Sequence, residues 1–218
     1  MSLPKVVVFD LDGTLTDSAP SIGAVLNGLR TERGLAPLPT QAYRGWISLG
    51  AAALVGAALD QPGAASPADV AGFRQRYAGT RGTQADLYTG IKDALALLEQ
   101  AGLPMGVCSN KPHALCEKVL EETRIRRFFQ AVAGGDAVQR SKPHPMHLAH
   151  TLELMRCDGQ PFFFVGDSLI DAEAAAAANA VFLWASYGYA DSDALPRRGQ
   201  RLASPADIVP AILDRVAR

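Results

Sequence analysis

Val6-Val7-Val8-Phe9-Asp10-Leu11-Asp12-Gly13-Thr14-Leu15 begins as an unbroken apolar run and stops abruptly at two carboxylates and a glycine. Apolar residues in succession, β-branched or aromatic and without polar alternation, predict a strand buried on both faces of a parallel sheet. Open parallel sheets bind their ligands beyond the carboxyl ends of the strands, so Asp10 and Asp12 fall where a ligand would be met. Gly13 lets the backbone turn tightly beside a phosphate, and the Thr14 hydroxyl can cap that turn or donate to the ligand. The same residue types also make ordinary turns or a plain cation site. The rest of the chain decides between these readings.

Three later segments repeat the form of an apolar strand ending in polar residues before a helix-like stretch. Met105-Gly106-Val107-Cys108 runs into Ser109-Asn110-Lys111-Pro112. Ser109 and Asn110 can donate to a phosphoryl oxygen, and Pro112 suits the first position of a helix whose N-terminus faces the same anion. Gly134-Gly135-Asp136 leads to Lys142-Pro143-His144-Pro145. The two prolines stiffen the backbone that carries Lys142, a charge able to offset both a carboxylate nucleophile and a phosphoryl group. Phe162-Phe163-Phe164-Val165-Gly166 ends at Asp167, with Asp171 one helical turn further on.

An aspartate oxygen becomes a competent nucleophile towards phosphorus when a divalent cation withdraws charge and the phosphoryl group is held in line. Asp10 then carries the phosphoryl group, and Asp12 gives a proton to the leaving alkoxide and later takes one from water. Magnesium favours a few carboxylate oxygens with several waters, so Asp10, the Asp12 main-chain carbonyl and Asp167 form a suitable set. Asp171 supports it from outside, or is simply a first-turn carboxylate favoured by the helix dipole.

The order of these pieces, an Asp pair, Ser-Asn, Lys-Pro and Gly-Asp-x-x-x-Asp, resembles the haloacid dehalogenase superfamily. The opening Asp10 to Ser18 with its long insert is similar to the phosphoglycolate phosphatase-like branch. The resemblance spans nearly the whole chain. It implies an α/β fold, a doubly wound parallel sheet with an inserted helical cap, and a Mg²⁺-dependent phosphatase. It further implies Asp10 as nucleophile, Asp12 as acid/base, Ser109 and Lys142 on phosphate, and Asp167 and Asp171 as metal-site carboxylates.

Length and patterning fit that organisation. The chain has 218 residues, more than a typical single domain and short for two full ones. Helical patterns run through Ile22 to Arg33, Gln41 to Ile47, Ala51 to Leu59 and Ala68 to Tyr77, and strand signals resume only at Met105. A cap over residues 18–81 inserted in a core of 1–17 and 82–218 follows as the expectation. In relatives a cap loop Ile-Gly-x-Gly reaches the active site, and here Ile47-Ser48-Leu49-Gly50 stands in its place. Arg44 beside that loop can meet the carboxylate of phosphoglycolate in a bidentate pair, or be a solvated arginine next to a core tryptophan, Trp46.

Neighbouring chemistries are weighed against the same residues. A dehalogenase needs no second aspartate, so Asp12 favours phosphoryl transfer. A phosphonate-cleaving relative needs a cap lysine, and no lysine lies between Lys5 and Lys92. A sugar phosphomutase, whose cap hinge carries His and Lys, is the alternative within the fold, yet no histidine precedes His113. A receiver-like phosphoacceptor also phosphorylates an aspartate with a hydroxyl residue and a Lys-Pro, though such modules are shorter.

Composition closes off other classes. A net charge of −1 gives no bulk attraction to nucleic acid or to an anionic membrane. No apolar run reaches membrane-spanning length and no signal core opens the chain, so a cytoplasmic protein acting on a small phosphorylated metabolite is expected. Three cysteines without metal-type spacing argue against both a disulfide scaffold and zinc. His147 and His150 lie one helical turn apart but lack a third ligand.

Overall fold

The computed structural model describes residues 3–189 and 199–216. The chain divides into two compact units, Met1–Asp17 with Thr83–Arg218, and Ser18–Gly82. Among the described residues no helix is long and apolar enough to cross a membrane.

The first unit is built on a six-stranded parallel sheet of β1 (Val6–Phe9), β2 (Met105–Ser109), β3 (Ala131–Gly134), β4 (Phe162–Gly166), β5 (Val181–Ala185) and β6 (Gln200–Leu202). Their order across the sheet is β3-β2-β1-β4-β5-β6. The chain therefore leaves β1 to one side, returns, and builds β4 to β6 on the other. Open parallel sheets bind their ligands at the carboxyl ends of the strands where the order reverses, and here Asp10 follows β1, Ser109 ends β2 and Asp167 follows β4. Strand β6 carries no apolar run, only Gln200, Arg201 and a buried Leu202, so the sequence gives no periodic signal for it.

The second unit consists of α1 (Ala19–Glu32), α2 (Thr40–Ile47), α3 (Ala51–Ala58) and α4 (Pro67–Ala78). Its interior is apolar with two polar ties. Asn27 donates to the Leu38 carbonyl, and its own oxygen accepts from the Leu38 N–H and the Tyr43 hydroxyl. Buried Arg30 donates to the carbonyls of Ala36 and Ala58 and pairs with Asp60 at 3.1 Å. In the loop after α2, Ser48 has φ −71° and ψ −17°, an ordinary conformation for any residue. The positive φ of that loop falls on Gly50, at +90°. A serine at position 48 is thus accommodated without strain.

Helices α5 (Ile91–Gln100), α6 (His113–Glu122), α7 (Met146–Leu154), α8 (Leu169–Ala177) and α9 (Ile208–Val216) belong to the first unit. Alternation along β1 sends Val7 and Phe9 to a core with Ile91, Leu95 and Leu98 of α5, Leu120 of α6 and Ile212 of α9. Val6 and Val8 face the opposite core with Leu148 and Leu152 of α7 and the small residues Ala172, Ala174 and Ala175 of α8. Helices thus cover both faces, as a doubly wound fold requires. The apolar spacing Ile91, Leu95, Leu98 makes α5 amphipathic, and Gly102 at φ +73° lies just past its end.

Candidate active site

Where β1 ends, the chain coils on itself instead of leaving the sheet. The Leu11 carbonyl accepts from the N–H groups of Thr14, Leu15 and Thr16, and Gly13 donates to Thr16. Gly13 stands at φ +86°, and a Cβ there would lie 2.3 Å from the Asp167 Oδ2. Only glycine meets both demands. The tight coil holds Asp10 and Asp12 at the end of the sheet, 4 % and 7 % exposed.

Asp10 Oδ1 forms an ion pair with Lys142 Nζ at 2.8 Å, and the same ammonium donates to Asp171 Oδ1 at 2.6 Å. Lys142 comes from the loop between β3 and α7, where the Lys142–Pro143 peptide is cis. It is buried, with Nζ 5.3 Å from the centre of the Phe164 ring. Asp171 is the third residue of α8 and closes a capping box. The Ser168 N–H and hydroxyl donate to its Oδ2, while the Asp171 N–H donates to the Ser168 Oγ. The first-turn reading of Asp171 thus has a structural form, one oxygen capping the helix while the other faces Lys142.

Asp167 completes the cluster. Its Oδ2 accepts from the Tyr189 N–H at 2.8 Å, and the Thr14 hydroxyl lies 3.5 Å from its Oδ1. Thr14 is fully buried and faces this carboxylate. Ser109 is 2 % exposed, and its hydroxyl oxygen accepts from the Lys111 N–H at 3.3 Å. Asn110 donates through its side-chain amide to the Lys142 carbonyl at 2.9 Å. Asp10, Asp12, Ser109, Lys142, Asp167 and Asp171 thus lie together at the carboxyl end of the first unit's sheet. Arg44 belongs to α2 of the second unit and is half-buried.

Two contributors escaped the sequence reading. Lys111 Nζ donates to both oxygens of Asp12, at 2.7 and 2.8 Å, and is 9 % exposed. It sits beside Ser109 and Asn110 but precedes Pro112, so it reads as part of a helix start. The turn after β5 is the other. The Tyr187 hydroxyl donates to the Thr14 carbonyl, the Tyr189 hydroxyl to Asp17, and a Cβ on Gly188 would lie 2.3 Å from the Gly13 carbonyl oxygen. Inspecting the residues after every strand of a parallel sheet, and not only those after acidic or hydroxyl residues, would have found it.

Burial dominates the electrostatics. Desolvation pushes the Asp10 carboxyl up to about 7, with Lys142 pulling it down and Asp171 and Asp12 adding to the rise. Asp167 is likewise raised, first by burial and then by Asp171 and Asp10. Burial opposes the Lys142 charge, yet Asp10 and Asp171 together keep its ammonium above the ordinary lysine range. Asp10, Asp167 and Asp171 each offer an oxygen within 4.8 Å of the others, and Lys142 is the ammonium shared between Asp10 and Asp171. A buried all-oxygen donor set with excess negative charge fits a hard divalent cation such as Mg²⁺.

A family model described as haloacid dehalogenase-like hydrolase matches residues 7–185. The chain belongs to the haloacid dehalogenase-like hydrolases. This hydrolase is 34 % identical to a phosphoglycolate phosphatase of Pseudomonas putida over 86 % of its own length and 71 % of that protein. With a phosphoglycolate phosphatase of Xanthomonas campestris pv. campestris it shares 36 % identity, over 87 % of its own chain and 86 % of the other. Its fold superimposes on the crystal structure of a predicted phosphoglycolate phosphatase from Haemophilus somnus with a TM-score of 0.83, at 25 % identity, covering 97 % of this chain and 99 % of that one. The hydrolase is an enzyme, and it falls in the phosphoglycolate phosphatase-like branch that the strand-end motifs resemble. A receiver-like phosphoacceptor is thereby set aside.

Proposed function

We propose that this hydrolase cleaves a small phosphate monoester through an aspartyl phosphate on Asp10, with Mg²⁺ held by Asp10, the Asp12 main-chain carbonyl and Asp167, and with Asp171 at the edge of that site. The carrying observation is the Lys142 ammonium shared between Asp10 and Asp171, two carboxylates that cluster with Asp167, with Asp12 two residues after Asp10. Bound there, Mg²⁺ would supply charge withdrawal from the phosphoryl oxygens and a template for in-line attack.

In the first step an Asp10 oxygen bonds to phosphorus as the ester P–O bond breaks, and Asp12 protonates the departing alkoxide. Lys142 and the Ser109 hydroxyl balance the charge of the phosphoryl oxygens. In the second step Asp12 takes a proton from water, the water oxygen bonds to phosphorus, and Asp10 is released as carboxylate. Because Lys111 engages both Asp12 oxygens, it fixes the Asp12 rotamer and must yield one oxygen for the proton. Thr14 steadies Asp167, and Asn110 holds the Lys142 carbonyl at the phosphate end of the site.

Phosphoglycolate is the substrate this reading favours, supported by the curated relatives, both named phosphoglycolate phosphatases. In this reading residues 18–81 are the cap, set in a core of residues 1–17 and 82–218. The cap carries selectivity, with Arg44 as its candidate for the substrate carboxylate. Hydrolysis is preferred to a phosphomutase because residues 18–82 contain neither histidine nor lysine. The test is phosphate release across small phosphomonoesters including phosphoglycolate, with Asp10→Asn as control. Release that requires both Mg²⁺ and Asp10 is expected. Equal release by Asp10→Asn would overturn the proposal.

A further inference from the structure

The Lys142 side chain makes the critical contacts, but its backbone lies in no helix or strand. Two side chains hold it instead. The Lys142 carbonyl accepts from Asn110, at the end of β2, and the Lys142 N–H donates to His147 Nδ1 at 3.3 Å, from the first turn of α7. The imidazole of His147 is fully buried, and its Nε2 lies 3.2 Å from the Ala133 carbonyl in β3. The Thr151 hydroxyl in turn donates to the His147 carbonyl at 2.8 Å.

These partners fix the ring chemically. A backbone N–H can only donate, so Nδ1 must offer its lone pair. A carbonyl can only accept, so Nε2 must carry the hydrogen. One tautomer of the uncharged ring satisfies both. A proton on Nδ1 would set two donors against each other.

We propose that His147 is a positioning residue for Lys142, its neutral Nε2–H ring bracing the Lys142 backbone against β3 so that the ammonium meets Asp10 and Asp171. The proposal rests on the phosphatase reading, which gives Lys142 its task. Electrostatics agree with the geometry. Burial, with the Lys142 charge next, pushes the ring down to about 4, and the charged or titratable groups facing it are Lys142 and His150. A buried histidine that only fills space is the competing interpretation, and the two differ in which nitrogen matters.

The experiment compares His147→Asn, His147→Gln and His147→Leu in the full chain. Asparagine places an acceptor near the position of Nδ1 and can keep the Lys142 tie, whereas glutamine places a donor near Nε2 and keeps only the Ala133 tie. We expect His147→Asn to hold kcat within about threefold of the wild type, with His147→Gln and His147→Leu losing about ten- to a hundredfold, the scale on which a misplaced charged group acts. Exchange of the Lys142 amide hydrogen should be slow in the wild type and His147→Asn, and fast in the other two. Equal kcat losses in Asn and Gln variants that simply follow Tm would overturn the proposal. So would a wild-type imidazole whose ¹⁵N spectrum shows hydrogen on Nδ1 at neutral pH. If the wild type releases no phosphate, the phosphatase reading fails on its own, while amide exchange and the ¹⁵N spectrum still judge the brace.

Discussion

Asp12 has two chemical neighbours that decide its work, the Lys111 ammonium on both of its oxygens and the turn through Gly13 that holds its backbone. Changing Asp12 to asparagine leaves the main-chain carbonyl in place, so metal binding should persist. The exchangeable proton is lost with the carboxyl, and general acid–base catalysis is commonly worth about 10² to 10⁴ in rate. Asp12→Asn is therefore expected to lose two to four orders of magnitude in kcat by about that factor while binding Mg²⁺ with little change, measured by steady-state kinetics alongside calorimetric titration. Near-normal turnover would remove the acid/base assignment. At this scale the sequence was most informative where a side chain follows an apolar run directly, as Asp10, Ser109 and Asp167 do. Lys111 was harder to see because what defines it is a contact 99 positions away, and local pattern carries no such information.

At the scale of elements, α8 does two jobs with one residue. Asp171 caps the helix through Oδ2 and faces Lys142 through Oδ1, so the cap and the charge cluster share a carboxylate. Replacing Ser168 with alanine removes the hydroxyl side of the capping box. The expected cost is about 0.5–2 kcal/mol of stability by urea denaturation, together with a loss of kcat because Asp171 is freed to turn away from Lys142. A Ser168→Ala variant with lowered stability but unaltered kcat would separate the two jobs. Elements with strong periodicity were legible from sequence, as α5 was from Ile91, Leu95 and Leu98. Strand β6 was not, because a three-residue edge strand owes its existence to pairing with β5 and not to its own residues. The turn at Tyr187 to Tyr189 belongs to the same class, since its importance lies in what it touches.

For the whole molecule, burying several carboxylates together makes stability depend on pH and on metal. Asp10 has an ordinary carboxylate value near 3.8 when unfolded and about 7 in the native protein. Between those values the native state holds the proton and the unfolded state does not, so this group's contribution to stability falls as pH rises from about 4 to 7. His147 acts in the opposite sense. Its native value of about 4 lies below the unfolded 6.5, so its contribution is present above pH 6.5 and is lost as pH falls towards 4. Comparing Tm with Mg²⁺ and with EDTA at each pH isolates the carboxylates, because the histidine term is common to both. The stabilisation by Mg²⁺ should grow from pH 5 to 7 and level off above. A difference that is flat or shrinks with rising pH would show that Asp10 does not exchange its proton for the metal.

Everything proposed for this site turns on Asp10 carrying the phosphoryl group. Its most direct test is rapid acid quench of the enzyme with ³²P-labelled phosphoglycolate and Mg²⁺, followed by mapping of protein-bound label. Label is expected on the peptide containing Asp10, formed and lost fast enough to lie on the path of phosphate release, and none on Asp10→Asn. Steady release of phosphate with no label on Asp10 at any quench time, and with turnover surviving in Asp10→Asn, would contradict it.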